Sequence, residues 1–157
     1  MDELIQDICT RLPYGLKGEV SVEVSTNSFD MNGFRDSVDV DVVVELLGVN
    51  VDTKDIEVIS CDPIEWHNGA FDYTMEGGGI YYTIDDFIPY LRPMSSMTEE
   101  ECIQFTLLYD NVLIYGKKGH TCILNLRQLK WLNEHHFDYN GLIEKGLAKI
   151  APEGIYG

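Results

Sequence analysis

The sequence predicts an α+β fold, with an antiparallel sheet of about four to six strands and an N-terminal helix and C-terminal helices packed on it. Three patterns support this class. Apolar residues repeat with a helical period over residues 2–12, and they alternate with a period of two over residues 19–25 and 37–46. Helix-capping signals appear after residue 97.

The first helix, over residues 2–12, is amphipathic. Acidic residues at its start complement the positive N-terminal end of a helix, and Pro13 ends it. Its apolar stripe comprises Leu4, Ile5, Ile8, Cys9 and Leu12.

The next block alternates between valine and polar residues, which is typical of half-buried antiparallel strands. We expect strands over residues 19–25 and 37–46, joined by a loop of about a dozen residues. A third strand is predicted over residues 56–61 and a fourth over residues 79–84. The polar and aromatic stretch between them, residues 62–78, is interpreted as an ordered excursion or an irregular hairpin.

The second half of the chain is predicted to combine helices with a hairpin. Residues 85–91 fit either a helical turn or a continuation of the strand. A capping box at Thr98 starts a helix to about Tyr109. This helix is predicted to bury Cys102, Phe105 and Tyr109 with Ile103 or Leu107. The remaining predicted elements are a hairpin (112–115 and 121–124), a helix from Asn125 to about His136, and a closing strand (147–150).

Charge restricts the class of partner. The 157 residues carry a formal net charge of −16, of which residues 1–110 contribute −18 and residues 111–157 contribute +2. We treat the chain as one domain, 1–157, with an acidic strand-rich part (16–84) and a helical and hairpin part (85–157). Direct nucleic-acid binding is disfavoured because it requires a basic surface.

Neither a membrane span nor a secretory signal is expected from the hydropathy pattern. The four cysteines are widely spaced, so we expect buried free thiols in a reducing compartment. The predicted location is therefore the cytoplasm.

An acidic strand face is the leading candidate site. Alternate residues of a strand point to the same side, so the carboxylates of the first two strands share one face. This face can be only a solvated surface, or it can bind a basic protein by imitating a row of phosphates. The predicted contact residues are Glu19, Glu23, Asp39, Asp41 and Glu45.

Two other arrangements are candidates. In the first, His135, His136 and Asp138 can be interpreted as a metal-dependent or hydrolytic site, with Cys102 or Cys122 as a nucleophile. Adjacent histidines on a helix diverge, however, and a structural interpretation is favoured. In that interpretation the histidines complement the C-terminal end of a helix and Asp138 caps the next turn of the chain. No catalytic residue, metal or cofactor is predicted.

The second arrangement is basic. Lys117, Lys118, Arg127 and Lys130 are exceptions in an acidic chain, and they can contact the acidic block of a second copy or an acidic partner. A solvated hairpin tip is the favoured interpretation, and self-association stays open as an alternative.

Five segments resemble a known group: residues 11–15 (RLPYG), 89–101 (PYLRPMSSMTEEE), 131–143 (WLNEHHFDYNGLI), 146–148 (GLA) and 151–154 (APEG). They resemble a group of small uncharacterised proteins of gut Bacteroidales and their phages or prophages. The resemblance implies a mobile-element context and the host cell cytoplasm, and it implies no activity or catalytic residues.

The leading functional prediction is a non-enzymatic, acidic accessory protein of a phage or mobile element. It is expected to bind a protein with a basic surface. Its sharper form is a nucleic-acid mimic that inhibits a basic host defence protein. The alternatives are a small hydrolase or metal-dependent enzyme and a self-associating structural component.

Overall fold

The computed structural model describes residues 3–61, 80–109 and 124–157. The helices are α1 (Glu3–Arg11), α2 (Glu99–Leu107) and α3 (Leu126–Glu134), and short 3-10 turns cover Leu12–Tyr14, Ile84–Asp86 and Met94–Ser96. The strands are β1 (Lys17–Phe29), β2 (Arg35–Asn50), β3 (Asp55–Ser60), β4 (Ile80–Thr83), β5 (Phe87–Pro93), β6 (Phe137–Asp138) and β7 (Lys149–Ile150).

The described strands form one mixed sheet in the order β4-β3-β2-β1-β5-β6, with β7 also paired to β5. The first five strands of that order are antiparallel. The two-residue strands β6 and β7 instead run parallel to β5. The α+β prediction is confirmed, and the parallel additions come from chain segments too short to show an alternating pattern.

The apolar stripe of α1 packs against the inner face of the sheet. Leu4, Ile5 and Ile8 join one cluster with the inward-facing residues of five strands and with Leu142 and Ala148. The predicted alternation holds for most positions, since Val20, Val22, Val44 and Leu46 are buried while Asp39 and Asp41 are exposed. The valine pattern therefore identifies the inner face correctly.

Gly18 lies opposite Pro89 where β1 and β5 pair side by side in the sheet. A Cβ at this position would lie 2.5 Å from the carbonyl oxygen of Ile88 and 2.6 Å from the ring of Phe87. Only a residue without a side chain permits this approach, because the nearest obstacle is backbone. The pairing of β1 with β5 therefore depends on this glycine.

The predicted loop of about a dozen residues between the first two strands is wrong. The strands continue towards each other, and only Asp30–Phe34 separate them. The polar residues around Asn27 are turn formers by type, yet the backbone there stays extended and Phe29 pairs with Arg35 after a bulge. Cross-strand hydrogen bonding outweighs the low strand propensity of these residues.

Helix α2 begins at the predicted capping box, in which Thr98 Oγ1 accepts from the Glu101 amide and the Glu101 carboxylate accepts from the Thr98 amide. Its predicted buried stripe is wrong, because Cys102 and Tyr109 are exposed and none of the helix residues is fully buried. Phe105 and the C-cap residue Leu108 pack against a cluster of buried residues, with Phe105 5.6 Å from Trp131 between ring centroids.

Helix α3 begins at the predicted Asn125 cap, which forms a second capping box with Gln128. It buries Trp131 and Leu132 in a smaller cluster with Phe137. This cluster lies beside the end of β5 and not over the centre of the sheet. Helix α3 and β6 therefore extend the fold along the sheet edge, whereas Leu142 and Ala148 belong to the main cluster.

Several predictions fall outside the described residues. They are the excursion over residues 62–78, the hairpin around residues 112–124 apart from Leu124, the Lys117 and Lys118 tip, and Cys122. The expectation of buried thiols is wrong for Cys61 and Cys102, which are exposed, while Cys9 is half-buried. Within the described part of the chain, no helix is long and apolar enough to cross a membrane.

Candidate functional site

Three of the five predicted acidic residues lie exposed on the outer face of the β1–β2 hairpin. They are Glu23, Asp39 and Asp41. Glu23 lies directly opposite Asp39 in the register, and Asp41 lies opposite Ser21. Opposed like charges destabilise a sheet. The Glu23 carboxylate accepts a hydrogen bond from the Ser37 hydroxyl, which partly compensates for this.

The inclusion of Glu19 in the predicted contact face is wrong, because this residue is only 8% exposed. Its carboxylate accepts hydrogen bonds from the Tyr90 hydroxyl at 2.6 Å and from the Lys149 ammonium. Burial raises the pKa of Glu19, but the bonds from Lys149 and Tyr90 outweigh burial and lower it. The charge of Glu19 is therefore satisfied inside the fold.

Glu45 is half-buried and lies apart from the other predicted acidic residues. It pairs in register with Lys17, and its carboxylate lies against Gly15, where an added Cβ would be 3.5 Å from Glu45 Oε1. This carboxylate lines a cleft and is separated from the exposed row.

The exposed row lies on a projecting two-stranded ribbon, residues 21–41, which we call the hairpin arm. The pairing of β5 with β1 covers Gly18–Val20, and the pairing of β3 with β2 begins at Val44. Among the described residues, the two strands of the arm therefore pair only with each other. At about 3.4 Å per residue, the arm extends about 20 Å beyond Glu23.

The tip of the arm is apolar and ordered by hydrogen bonds. Phe29 is 60% exposed, Phe34 is 72% exposed and Met31 is fully exposed. Asp30 Oδ1 accepts from the amides of Asn32 and Phe34, and the Asp30 amide donates to the Phe34 carbonyl. The turn thus presents its apolar side chains from a defined backbone.

The contacts made by His135, His136 and Asp138 are those of residues that stabilise the fold. Both carboxylate oxygens of Asp138 accept backbone amides, from Leu142 at 2.8 Å and Ile143 at 2.9 Å. His135 Nδ1 donates to the Trp131 carbonyl one turn earlier. The predicted capping interpretation fits these bonds, and the described residues contain no His, Cys, Asp and Glu group that could hold a metal ion.

A cleft of about 870 Å³ opens between the C-terminal segment and the start of β1. Its two basic side chains are engaged by protein groups: Lys17 Nζ donates to the Ile155 carbonyl at 2.8 Å, and Arg92 binds both oxygens of Glu101 at 2.7 and 2.9 Å. The Arg92 bonds lower the pKa of Glu101 to about 2. The other charged groups of the cleft are Glu45, Glu134 and Glu153.

His136 forms part of the cleft wall and is only 3% exposed. Its backbone is left-handed (φ 58°), and its ring stacks on Tyr156 with centroids 3.8 Å apart. Burial, with the nearby Arg11 cation, lowers the pKa of His136 to about 4, although a hydrogen bond to the Tyr14 backbone acts in the other direction. The imidazole is therefore neutral at pH 7.

Asp7 and Arg11 form a buried ion pair that the sequence patterns did not predict. Arg11 Nε donates to Asp7 Oδ2 at 2.6 Å, and neither side chain is exposed. Arg11 also donates to the Phe137 carbonyl, and Asn140 donates to Asp7. The signal was present in the spacing, because residues 4, 7, 8 and 11 share one helical face.

Comparison with known proteins identifies no relative. A scan against protein-family models and searches of curated proteins and of solved structures find no match for this chain. The resemblance to proteins of Bacteroidales and their phages stays a prediction.

Proposed function

We propose that this protein acts by binding a protein partner with a basic surface through the outer face and tip of the hairpin arm. One observation carries the proposal. The arm projects beyond the sheet with an exposed apolar tip, and Glu23, Asp39 and Asp41 lie exposed beside it. None of these three carboxylates forms an ion pair within the described residues.

Charge complementarity selects the partner. Residues 21–41 contain five acidic residues and one basic residue, Arg35. A second copy carries the same net charge of −16, so self-association along this face is repulsive at low salt. Nucleic acid is repelled for the same reason. A basic protein surface is the class that gains from contact.

The apolar tip supplies binding energy that the acidic residues do not provide. Carboxylates at a rim steer association and set specificity, whereas aromatic side chains and Met supply much of the binding energy at interface centres. Phe29, Met31 and Phe34 are of these types. The partner surface is therefore an apolar pocket with a basic rim.

The sharper form of the proposal is a decoy for nucleic acid, encoded by a phage or mobile element and inhibiting a basic host protein. Asp39 and Asp41 are spaced about 6.6–6.8 Å apart along β2, roughly half the phosphate density of a DNA strand. Three exposed carboxylates, and not the five predicted from sequence, support this form. We expect duplex DNA to displace the protein from its partner.

Reversal of charge tests the face directly. The variant Glu23→Lys/Asp39→Lys/Asp41→Lys is compared with Asp52→Lys/Asp85→Lys/Glu144→Lys, which changes the net charge equally at exposed positions elsewhere. The probe is a fluorescent nona-arginine peptide, and anisotropy gives its Kd at low salt. We expect the arm variant to lose at least tenfold in affinity and the control variant less than threefold. Equal losses in both would contradict the proposal.

The tip requires a separate test with a partner captured from a bacterial lysate at two salt concentrations. The variant Phe29→Ser/Phe34→Ser should release that partner, whereas Leu126→Ser, which changes another exposed apolar residue, should retain it. Sizing of the purified protein at low and high salt is expected to show a monomer. A dimer that the arm variants abolish would assign the arm to self-association instead.

A further inference from the structure

One edge of the hairpin arm has no paired strand among the described residues. Strand β5 accompanies β1 only over Gly18–Val20, because the chain enters β5 at that level from the 3-10 turn Ile84–Asp86. From Ser21 onwards, β1 pairs with β2 on one side and with no described strand on the other. We call this side of residues 21–25, up to the bulge that follows Ser25, the arm edge.

The direction of the backbone groups shows which of them point out of the arm edge. The Leu16 carbonyl accepts from the Leu46 amide in β2. The Lys17 amide, on the other side of the same peptide plane, therefore points away from β2. Since this direction repeats every second residue of an antiparallel pair, the amides and carbonyls of Ser21 and Glu23 point the same way. Such outward backbone groups are a template for pairing with another chain.

The side chains along the arm edge select the chemistry of an added strand. Ser21 and Glu23 are exposed on the outer face, and Asp41 and Asp39 lie opposite them on β2. A side chain of the added strand that faces Glu23 would lie about 5 Å from it between Cβ atoms, where opposite charges attract and like charges repel. Lys and Arg are also long enough to approach the carboxylates of β2, because adjacent strands are about 4.8 Å apart.

Charge and burial together define the segment that fits. The arm edge of a second copy is a poor occupant, because it brings another Glu23 and a net charge of −16. Every second residue of an added strand falls instead on the inner face, beside Val22, which is only 5% exposed. These positions suit apolar side chains. The complementary segment therefore alternates basic and apolar residues.

We infer that the basic partner adds an extended segment of this composition to the arm edge as an antiparallel strand. Strand β1 is antiparallel to both of its neighbours, and antiparallel pairing is slightly more stable per residue. The inference rests on the proposed function and specifies how the partner is bound. Main-chain hydrogen bonds supply affinity, and the alternate side chains supply specificity.

Methylation of a peptide backbone tests strand addition separately from charge. The probe is the blocked peptide Lys-Val-Lys-Val-Lys-Val-Lys, titrated into 15N-labelled protein at low salt. Its lysine residues, opposite Ser21 and Glu23, direct their amides at β1, whereas its valine amides point away. N-methylation of two internal lysine amides should weaken binding at least fivefold, and N-methylation of two valine amides less than twofold. Equal affinities of the two methylated peptides would overturn the inference.

Hydrogen exchange and an edge variant test the protein side. Saturating peptide should slow exchange of the Ser21 and Glu23 amides at least threefold, while the Val22 amide, which points to β2, changes little. Ser21→Pro removes one outward amide at a place where a strand tolerates proline, and it should weaken the probe at least fivefold. Ser21→Ala keeps the amide and should bind as the wild type does. Equal binding by Ser21→Pro and Ser21→Ala would contradict strand addition.

The inference and the proposed function fail in different ways. Shift changes on the arm with equal affinities of the methylated peptides would leave the arm as a basic-partner surface and remove strand addition. The neutral peptide with Gln in place of Lys should bind at least tenfold more weakly than the probe. Equal binding of that peptide would contradict the proposed function, and no shift change on the arm with the probe would contradict both.

Discussion

Arg11 donates to both carboxylate oxygens of Asp7, at 2.6 and 3.0 Å, in a pair that is fully shielded from water. The same guanidinium reaches the Phe137 carbonyl and lies 5.1 Å from the centroid of the Tyr139 ring. One turn of α1 thus fixes the segment that leads from α3 into the C-terminal part of the cleft. The cleft wall depends on a contact made by the first helix.

Removal of one partner of this pair should be costly. Asp7→Asn leaves the Arg11 charge buried without a counter-charge, and we expect a loss of about 3–5 kcal/mol in the free energy of unfolding. Urea unfolding of Asp7→Asn, Arg11→Met and Asp7→Asn/Arg11→Met measures it. The double variant should lose less than the sum of the single variants. Additive losses would show that the pair is not coupled.

Gly18 should be intolerant of even one methyl group. Gly18→Ala places a Cβ against the Ile88 carbonyl and the Phe87 ring, so we expect a loss of about 1–3 kcal/mol in stability. Gly48→Ala is the matched control in the neighbouring strand, since its Cβ meets only the Glu57 side chain at 3.6 Å. Similar thermal midpoints for the two variants would contradict the close approach of β1 and β5.

Stability should fall in acid because of His136. Its pKa is lowered to about 4 in the folded chain, so the unfolded chain, with a pKa near 6.5, binds more protons between these values. The free energy of unfolding is therefore unaffected above about pH 6.5 and decreases by about 3 kcal/mol as the pH falls to about 4.

Urea unfolding at several pH values measures this decrease. His136→Asn is the control, because Asn does not titrate and tolerates the left-handed backbone at this position. The pH dependence should become shallower in that variant. An NMR titration that gives His136 a pKa above 6 would refute the explanation.

Glu101 should stabilise the fold over a different range of pH. The Arg92 hydrogen bonds lower the pKa of Glu101 to about 2, so its contribution is present above the unfolded value near 4.5 and is lost as the pH falls to about 2. At pH 7, Glu101→Gln should cost about 1–3 kcal/mol, while the exposed Glu100→Gln changes little. Equal stability of the two variants, measured by urea unfolding, would contradict the role of this pair.

The regular part of the fold could be predicted because it depends on local patterns. Valine alternation identifies the inner face of β1 and β2, and both capping boxes specify where α2 and α3 begin. The interpretation of Asp138 as a cap also agrees with its bonds to the Leu142 and Ile143 amides. Each of these depends on residues within a few positions of one another.

The errors concern contacts between distant segments. The alternating pattern predicts that Glu19 is exposed, because a local pattern carries no information about Tyr90 and Lys149. These two residues lie 71 and 130 residues away in the sequence. The prediction that the apolar stripe of α2 is buried is wrong, because such a stripe does not indicate whether another element packs on it. No local pattern indicates the cleft, since its wall comes from five separate parts of the chain.

The central claim is that the hairpin arm is the surface that meets a basic partner. Titration of 15N-labelled protein with nona-arginine peptide tests it most directly, because the Glu99–Glu101 cluster on α2 offers a competing acidic site within the same molecule. We predict that the largest amide shift changes fall at Glu23, Asp39 and Asp41 and disappear at high salt. Larger changes on α2 than on the arm would contradict the claim.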